Sequence, residues 1–198
     1  MRIDLLRHGE CSDQAWLRGR VDSELSDLGW QQMLNQRSRL AHYDKIITSS
    51  AKRCAEFAMK SLQQDASVSI EPAWQERDFG LFDGLSFEEL ETRFPEALAH
   101  YLNNPYDHEI PQAESFHDFK NRINQAWLEL IQTDVESVLL VTHSGPMRLV
   151  LQHILGFANQ QLFQFELGYA ARVSIEVIPT DSTPFCKLLE IVQAPEPI

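Results

Sequence analysis

Two periodicities, one of strands and one of helices, divide this chain. Residues 3–6 form a short β-type run that stops at Arg7-His8-Gly9, and a loop over residues 10–24 follows. Ser26 then serves as the N-cap of a helix reaching about Leu40, with an inner face expected from Leu28, Leu34 and Leu40. Residues 44–48 are β-rich and end at Ser49-Ser50, ahead of a helix over residues 51–62 and a brief alternating strand at 68–70. Over residues 74–112 the periodicity is poor, with Gly80, Gly84, Pro95 and Pro105 interrupting it. Loops and short helices are expected there, forming an irregular cap over any pocket.

The second half is more regular. Phe116, Phe119, Ile123, Trp127 and Leu130 recur at helical spacing, which predicts an amphipathic helix over residues 114–133 with one inward stripe. Residues 137–141 are continuously apolar, as in a strand buried on both faces, and lead into Thr142-His143-Ser144-Gly145. Pro146 is placed as the first residue of a helix closed by Gly156. Two further β-type runs, 172–178 and 185–192, flank a turn rich in Pro and Thr and predict an antiparallel hairpin. Strands alternating with helices predict an α/β fold: a three-layer αβα sandwich around a mostly parallel sheet with an antiparallel edge. The 198 residues are expected to form one domain.

Composition narrows the function classes. A net charge of −12 argues against a sequence-independent nucleic-acid binder, which needs a basic face to neutralise phosphates. No stretch approaches the roughly 20 apolar residues that span a bilayer, so neither a membrane anchor nor a signal peptide is expected. Cys11, Cys54 and Cys186 are widely spaced with no Cys-x-x-Cys pair, which points to a reducing, cytoplasmic setting. His42, His100, His108, His117 and His153 share no ligand spacing with a carboxylate or thiol, and neither a metal nor an organic cofactor is expected. Oligomeric state is left open, a homodimer included.

Against this acidic background, cations and imidazoles concentrate where strands end. Arg7-His8-Gly9, the segment from Ser49 to Arg53, and His143-Ser144-Gly145 each follow a predicted strand directly. In a parallel sheet the carboxyl ends of neighbouring strands lie together, so two Arg and two His converge. Such a cluster suits a dianion: Arg7 and Arg53 offer forked donors, and the helix start at Ser144 and Gly145 adds free N–H groups. Neighbouring cations favour neutral imidazole, which is a nucleophile. His8 and His143 each also admit a structural reading as satisfied histidines at strand ends. An acid for the leaving group is available at Glu76 or Asp78 within Trp74-Gln75-Glu76-Arg77-Asp78-Phe79-Gly80, although a solvated loop acid is the alternative. Trp74, Phe79 and Phe82 flank Glu76 and are candidates to wall the pocket, and Tyr101, Tyr106 and His108 are candidates to touch a leaving group.

With these motifs the chain resembles the histidine phosphatase superfamily, the group that includes cofactor-dependent phosphoglycerate mutases. The resemblance rests on Arg7-His8-Gly9-Glu10, on Gly19 to Leu25 with Ser26 and Gly29 beyond, and on Ser49-Ser50-Ala51-Lys52-Arg53 with one residue deleted. It is completed by Glu76 to Gly84 and by Val141-Thr142-His143-Ser144-Gly145. It implies that His8 becomes phosphohistidine, that Arg7, Arg53 and His143 stabilise the transferring group, and that Glu76 serves as acid and then base. Cys11 and Gln14 stand where the family has Thr and Asn. Within the superfamily the passage Ile110 to Phe116 and the tail are most similar to the alpha-ribazole phosphatases. The expectation is hydrolysis of a small phosphorylated metabolite. The rival expectations are a mutase-type phosphotransferase and a catalytically silent phosphate-binding module.

Overall fold

In the computed structural model, residues 1–62, 66–106 and 108–194 are described. The strands are β1 (Arg2–Arg7), β2 (Lys45–Thr48), β3 (Ser67–Ile70), β4 (Ser137–Thr142), β5 (Arg172–Ile178) and β6 (Phe185–Val192). They form one sheet of order β3-β2-β4-β1-β5-β6. The first four run parallel, β5 is antiparallel to β1, and β6 is antiparallel to β5. The α/β sandwich with its antiparallel edge is therefore present.

Alternation along the central strands feeds two cores. Ile3, Leu5, Val138 and Leu140 turn to one face, where they meet Phe119, Ile123 and Trp127 of a long helix and Met147 and Val150 of the next. Those helices are Phe116–Leu130 and Ser144–Leu155. Leu6, Leu139 and Val141 turn to the other face, against Met33 of helix Asp27–Arg37 and Phe57 of helix Lys52–Phe57. A strand covered on both faces has no polar side to show, which is why residues 137–141 read as one apolar run.

We number the helices α1 (Asp27–Arg37), α2 (Lys52–Phe57), α3 (Phe87–Arg93), α4 (Pro95–Asn103), α5 (Phe116–Leu130) and α6 (Ser144–Leu155). Three expected details differ. Helix α1 stops at Arg37, and its buried residues are Gly29, Met33 and Gln36, while Leu34 is 45% exposed. The inner face is set by close backbone approach and by a Gln36 Nε2 hydrogen bond to the Ala170 carbonyl, not by leucines. The predicted helix over 51–62 is α-helical only to Phe57 and continues as a π-helical turn, Ala58–Leu62. Helix α6 begins at Ser144 with His143 as its N-cap, so Pro146 is its third residue. A proline there costs nothing, because first-turn N–H groups have no intrahelical partner.

The segment with poor periodicity contains two 3-10 turns, α3 and α4. Phe79, Phe82, Leu90, Leu98, Tyr101 and Ile110 give it a small core of its own. A carboxylate is enclosed in the sheet. Asp4, fully buried in β1, accepts hydrogen bonds from Tyr43 Oη and from Arg172 Nη1 at 3.0 Å, tying β1 to β5. Among the described residues no helix is long and apolar enough to cross a membrane.

Candidate active site

The register of the parallel strands assembles the site. Arg7 of β1 pairs with Thr142 of β4, so the next residues, His8 and His143, leave the sheet side by side with ring centroids 5.2 Å apart. Thr48 of β2 pairs with Val141, which brings Ser49 to the same edge, 2.8 Å from His143 Nε2. The loop after β1 is seated by two glycines. A Cβ on Gly9 would overlap the Gly29 carbonyl, and one on Gly29 would overlap that of Glu10, so the backbones touch. Glu10 completes the anchor, its carboxylate accepting from Ser26 Oγ at 2.8 Å.

His8 is buried, and its Nδ1 lies 2.7 Å from the Gly9 carbonyl oxygen, an acceptor only. Nδ1 therefore carries the proton and Nε2 keeps its lone pair. Burial, reinforced by Arg53 and Arg7, holds the His8 pKa well below its ordinary value, so the ring is neutral. His143 is neutral for the same reasons, burial first and Arg53 next. Its Nδ1 accepts from Arg53 Nε at 3.2 Å, which leaves Nε2–H to donate to Ser49 Oγ.

A cavity of about 230 Å³ opens beside His8, with Arg7, Glu76, Ser144 and Gly145 in its wall. The Glu76 carboxylate receives the backbone N–H groups of Arg77 and Gly145, each at 3.0 Å. Burial nevertheless pushes its pKa above the usual carboxylate range. A Cβ on Gly145 would overlap Glu76 Oε1, so only glycine lets the carboxylate reach the helix start. Arg122 holds the segment carrying Glu76 in place. It donates to the carbonyls of Ala73, Gln75 and Glu76 and forms a two-pronged pair with Glu114 at 2.8 and 2.7 Å. Arg7 gives Nη1 to the Leu167 carbonyl and lies over the Tyr169 ring, 4.4 Å from its centroid. Among the described residues its enclosed Nε has no hydrogen-bond partner.

A neutral imidazole with a bare Nε2, beside a cation and opposite a protonatable carboxyl, is the decisive arrangement, and comparison with known proteins agrees. The chain matches the family described as histidine phosphatase superfamily (branch 1) over residues 3–189. This chain belongs to the histidine phosphatase superfamily. It is 33% identical over 168 residues to 6-phosphofructo-2-kinase/fructose-2,6-bisphosphatase of Gallus gallus, covering 81% of this chain and 34% of that longer protein. The fold is similar to a mycobacterial structure called hydrolase 2, with TM-score 0.86, 19% identity, and coverage of 100% of this chain and 92% of the other. It is likewise similar to the alpha-ribazole phosphatase of Shigella flexneri, with TM-score 0.81, 23% identity and 96% of each chain covered.

Within the site of this superfamily member, not every predicted residue stands where it was expected. Arg53 is fully buried behind the two imidazoles, outside the cavity wall. Its Nη groups donate to the carbonyls of Val21, Arg18 and Gly19 and its Nε to His143, so it holds the loop and that imidazole. Gln14 is exposed, and Cys11 Sγ lies 3.9 Å from His8 Nδ1. Asp78 caps the turn at Gly80 and pairs with Arg20 instead of entering the cavity. Of the aromatic candidates, Phe79, Tyr101 and Tyr106 line the cavity, whereas Trp74 and Phe82 belong to the cores and His108 lies outside the lining. Among the lining residues missed are three cations and a phenol: Arg18, Arg77, Arg148 and Tyr169. Arg18 is braced by Asp13 at 2.7 Å and reaches Tyr169 Oη at 3.4 Å. Its only sequence signal was a cation directly before Gly19 in a matched motif.

Proposed function

We propose that this protein is a phosphomonoesterase working through a phosphohistidine on His8. The observation carrying the proposal is the His8 ring: neutral, fixed by Gly9, with Nε2 free at the foot of a cationic cavity. In the first step Nε2 attacks phosphorus, the N–P bond forms, and the P–O ester bond breaks. Protonated Glu76 gives its proton to the departing oxygen. In the second step the Glu76 carboxylate takes a proton from water, whose oxygen attacks phosphorus. The N–P bond breaks, and inorganic phosphate leaves. Arg7, which lines the cavity beside His8, and the N–H group at Ser144 stabilise the transferring group, while the Gly145 N–H holds the Glu76 carboxylate. Arg53 contributes charge and orients His143, which packs against His8.

Hydrolysis is preferred to transfer onto a second hydroxyl because the segment over residues 83–111, which carries α3 and α4, is short for a covering segment. The substrate is a small phosphorylated metabolite, and alpha-ribazole 5′-phosphate is the candidate that the family resemblance singles out. The test is phosphate release from 4-nitrophenyl phosphate and from a metabolite panel that includes alpha-ribazole 5′-phosphate. His8→Ala should abolish free phosphate from every substrate. Unchanged turnover in that variant contradicts the mechanism, and an isomerised ester in place of free phosphate identifies a mutase.

A further inference from the structure

We infer that the outer cavity holds a second anion subsite, formed by Arg77 and Arg148, which selects phosphomonoesters whose leaving group carries another anionic oxygen group near the ester oxygen. The inference rests on the hydrolase reading above and narrows its substrate, away from alpha-ribazole 5′-phosphate, whose leaving group is a neutral nucleoside, and toward doubly anionic esters.

Both side chains are more than nine-tenths buried, at 4% and 9% exposure, and both line the cavity. Arg77 donates Nε to the Glu114 carbonyl at 2.9 Å and Nη1 to that of Pro105 at 3.2 Å. Arg148 donates Nε to Ser144 Oγ at 3.1 Å and Nη1 to the carbonyls of Leu162 and Phe165. In each case Nη2 has no partner among the described residues. Scaffolding arginines in this protein look different: Arg122 and Arg53 engage Nε, Nη1 and Nη2 alike.

Aromatic rings flank the two free donors, which open on the cavity. Arg148 is held between Phe163 and Phe165, at 4.8 and 5.1 Å, and Arg77 lies 5.9 Å from the centroid of Phe116. Tyr106 bridges the two, with ring centroids 5.1 Å from Phe116 and 6.4 Å from Phe163. Buried cations with unused donors are costly until an anion pairs with them, and apolar walls strengthen that pairing. Burial pushes both guanidinium pKa values down, which is the same unmet demand for a counter-charge. Each also feels the charge of Glu76, so the second anion sits close to the bond being broken. A phosphate dianion at His8 and Arg7 leaves these donors unmatched, whereas a leaving group with its own carboxylate or phosphate satisfies them.

The test compares primary alkyl phosphates that differ in that group alone. One pair is 3-phosphoglycerate against glycerol 3-phosphate, and the other is propane-1,3-diol bisphosphate against its monophosphate. The inference predicts that kcat/KM favours the doubly anionic member by about tenfold or more in at least one pair, as charge-assisted hydrogen bonds of this kind require. The pair with the larger ratio tells carboxylate from phosphate. In Arg77→Gln and Arg148→Gln that ratio should fall toward one. Because both rates come from one preparation, partial unfolding cancels. Ratios near one in the parent protein, with His8-dependent hydrolysis of 4-nitrophenyl phosphate intact, overturn the subsite and leave the hydrolase standing. A ratio unchanged in both variants also overturns it. Absence of any His8-dependent turnover overturns the hydrolase reading and the subsite together.

Discussion

Gly145→Ala adds one methyl group where the carboxylate of Glu76 meets the start of α6. The new Cβ would overlap Glu76 Oε1 and would lie 2.9 Å from its Cδ and 3.0 Å from Phe119 Cζ. Ordinary carbon contacts are about 3.5 to 4.0 Å, so the carboxyl must retreat by roughly 1 Å and give up the 3.0 Å hydrogen bond from the Gly145 N–H. Displacing a reacting group by about 1 Å costs on the order of 10²-fold in rate, equivalent to about 2.7 kcal/mol. The loss should fall only on esters that need a proton at the leaving oxygen. The assay is therefore kcat/KM, which reports phosphoryl transfer to His8, for an alkyl phosphate and for 4-nitrophenyl phosphate, whose leaving group departs without an acid. The expected result is a fall of about 10²-fold for the alkyl ester, a small change for the aryl ester, and a cooperative melting transition close to that of the parent. Equal losses for both esters, or an unaltered alkyl rate, would refute the placement of Glu76 as the acid.

Two further predictions concern titration and stability. After correction for substrate ionisation, kcat/KM for an alkyl phosphate should rise as pH climbs through the lowered pKa of His8 and fall as it passes the raised pKa of Glu76. Glu76→Gln should remove the alkaline limb, and an alkaline limb that survives assigns it to another group. Burial pushes the Asp4 carboxyl up, but hydrogen bonds from Tyr43, Ser174 and Arg2 outweigh burial and hold it below the usual carboxylate range. Its stabilisation is thus complete above the unfolded pKa and is lost as pH falls through the folded one. Asp4→Asn should cost about 3 kcal/mol in denaturant unfolding at neutral pH, because Arg172 loses a buried counter-charge, and should flatten the acid limb of the stability profile. A neutral-pH cost below about 0.5 kcal/mol, the range of ordinary surface substitutions, contradicts that assignment.

What could be foreseen followed from burial. The central strands and α5 were legible because both faces of β1 and β4 and one stripe of α5 are covered by apolar neighbours. His8, His143 and Glu76 were legible because each sits directly after a strand or in a matched motif, and the parallel register does the rest. Helix α1 was misjudged since its inner face is Gly29, Met33 and Gln36 rather than leucines, with close backbone approach and a hydrogen bond beside a single apolar core contact. Arg53 was found by type, but the direction of its guanidinium depends on carbonyls of residues 18–21, a loop with no periodicity. Arg77, Arg148 and Tyr169 lie far apart in the chain, two of them in irregular segments and one on α6, and only the folded protein brings them to one cavity.

The central claim, a phosphoryl group carried on His8 Nε2, is tested most directly by quenching a turnover reaction with labelled substrate and locating the label. Glu76→Gln should trap the intermediate best, since it lacks the base that activates water. The account predicts a phosphoenzyme that is labile in acid, stable in base and absent from His8→Ala, with the label on the peptide containing His8. Label on an acid-stable site, or a phosphoenzyme that persists in His8→Ala, would contradict it.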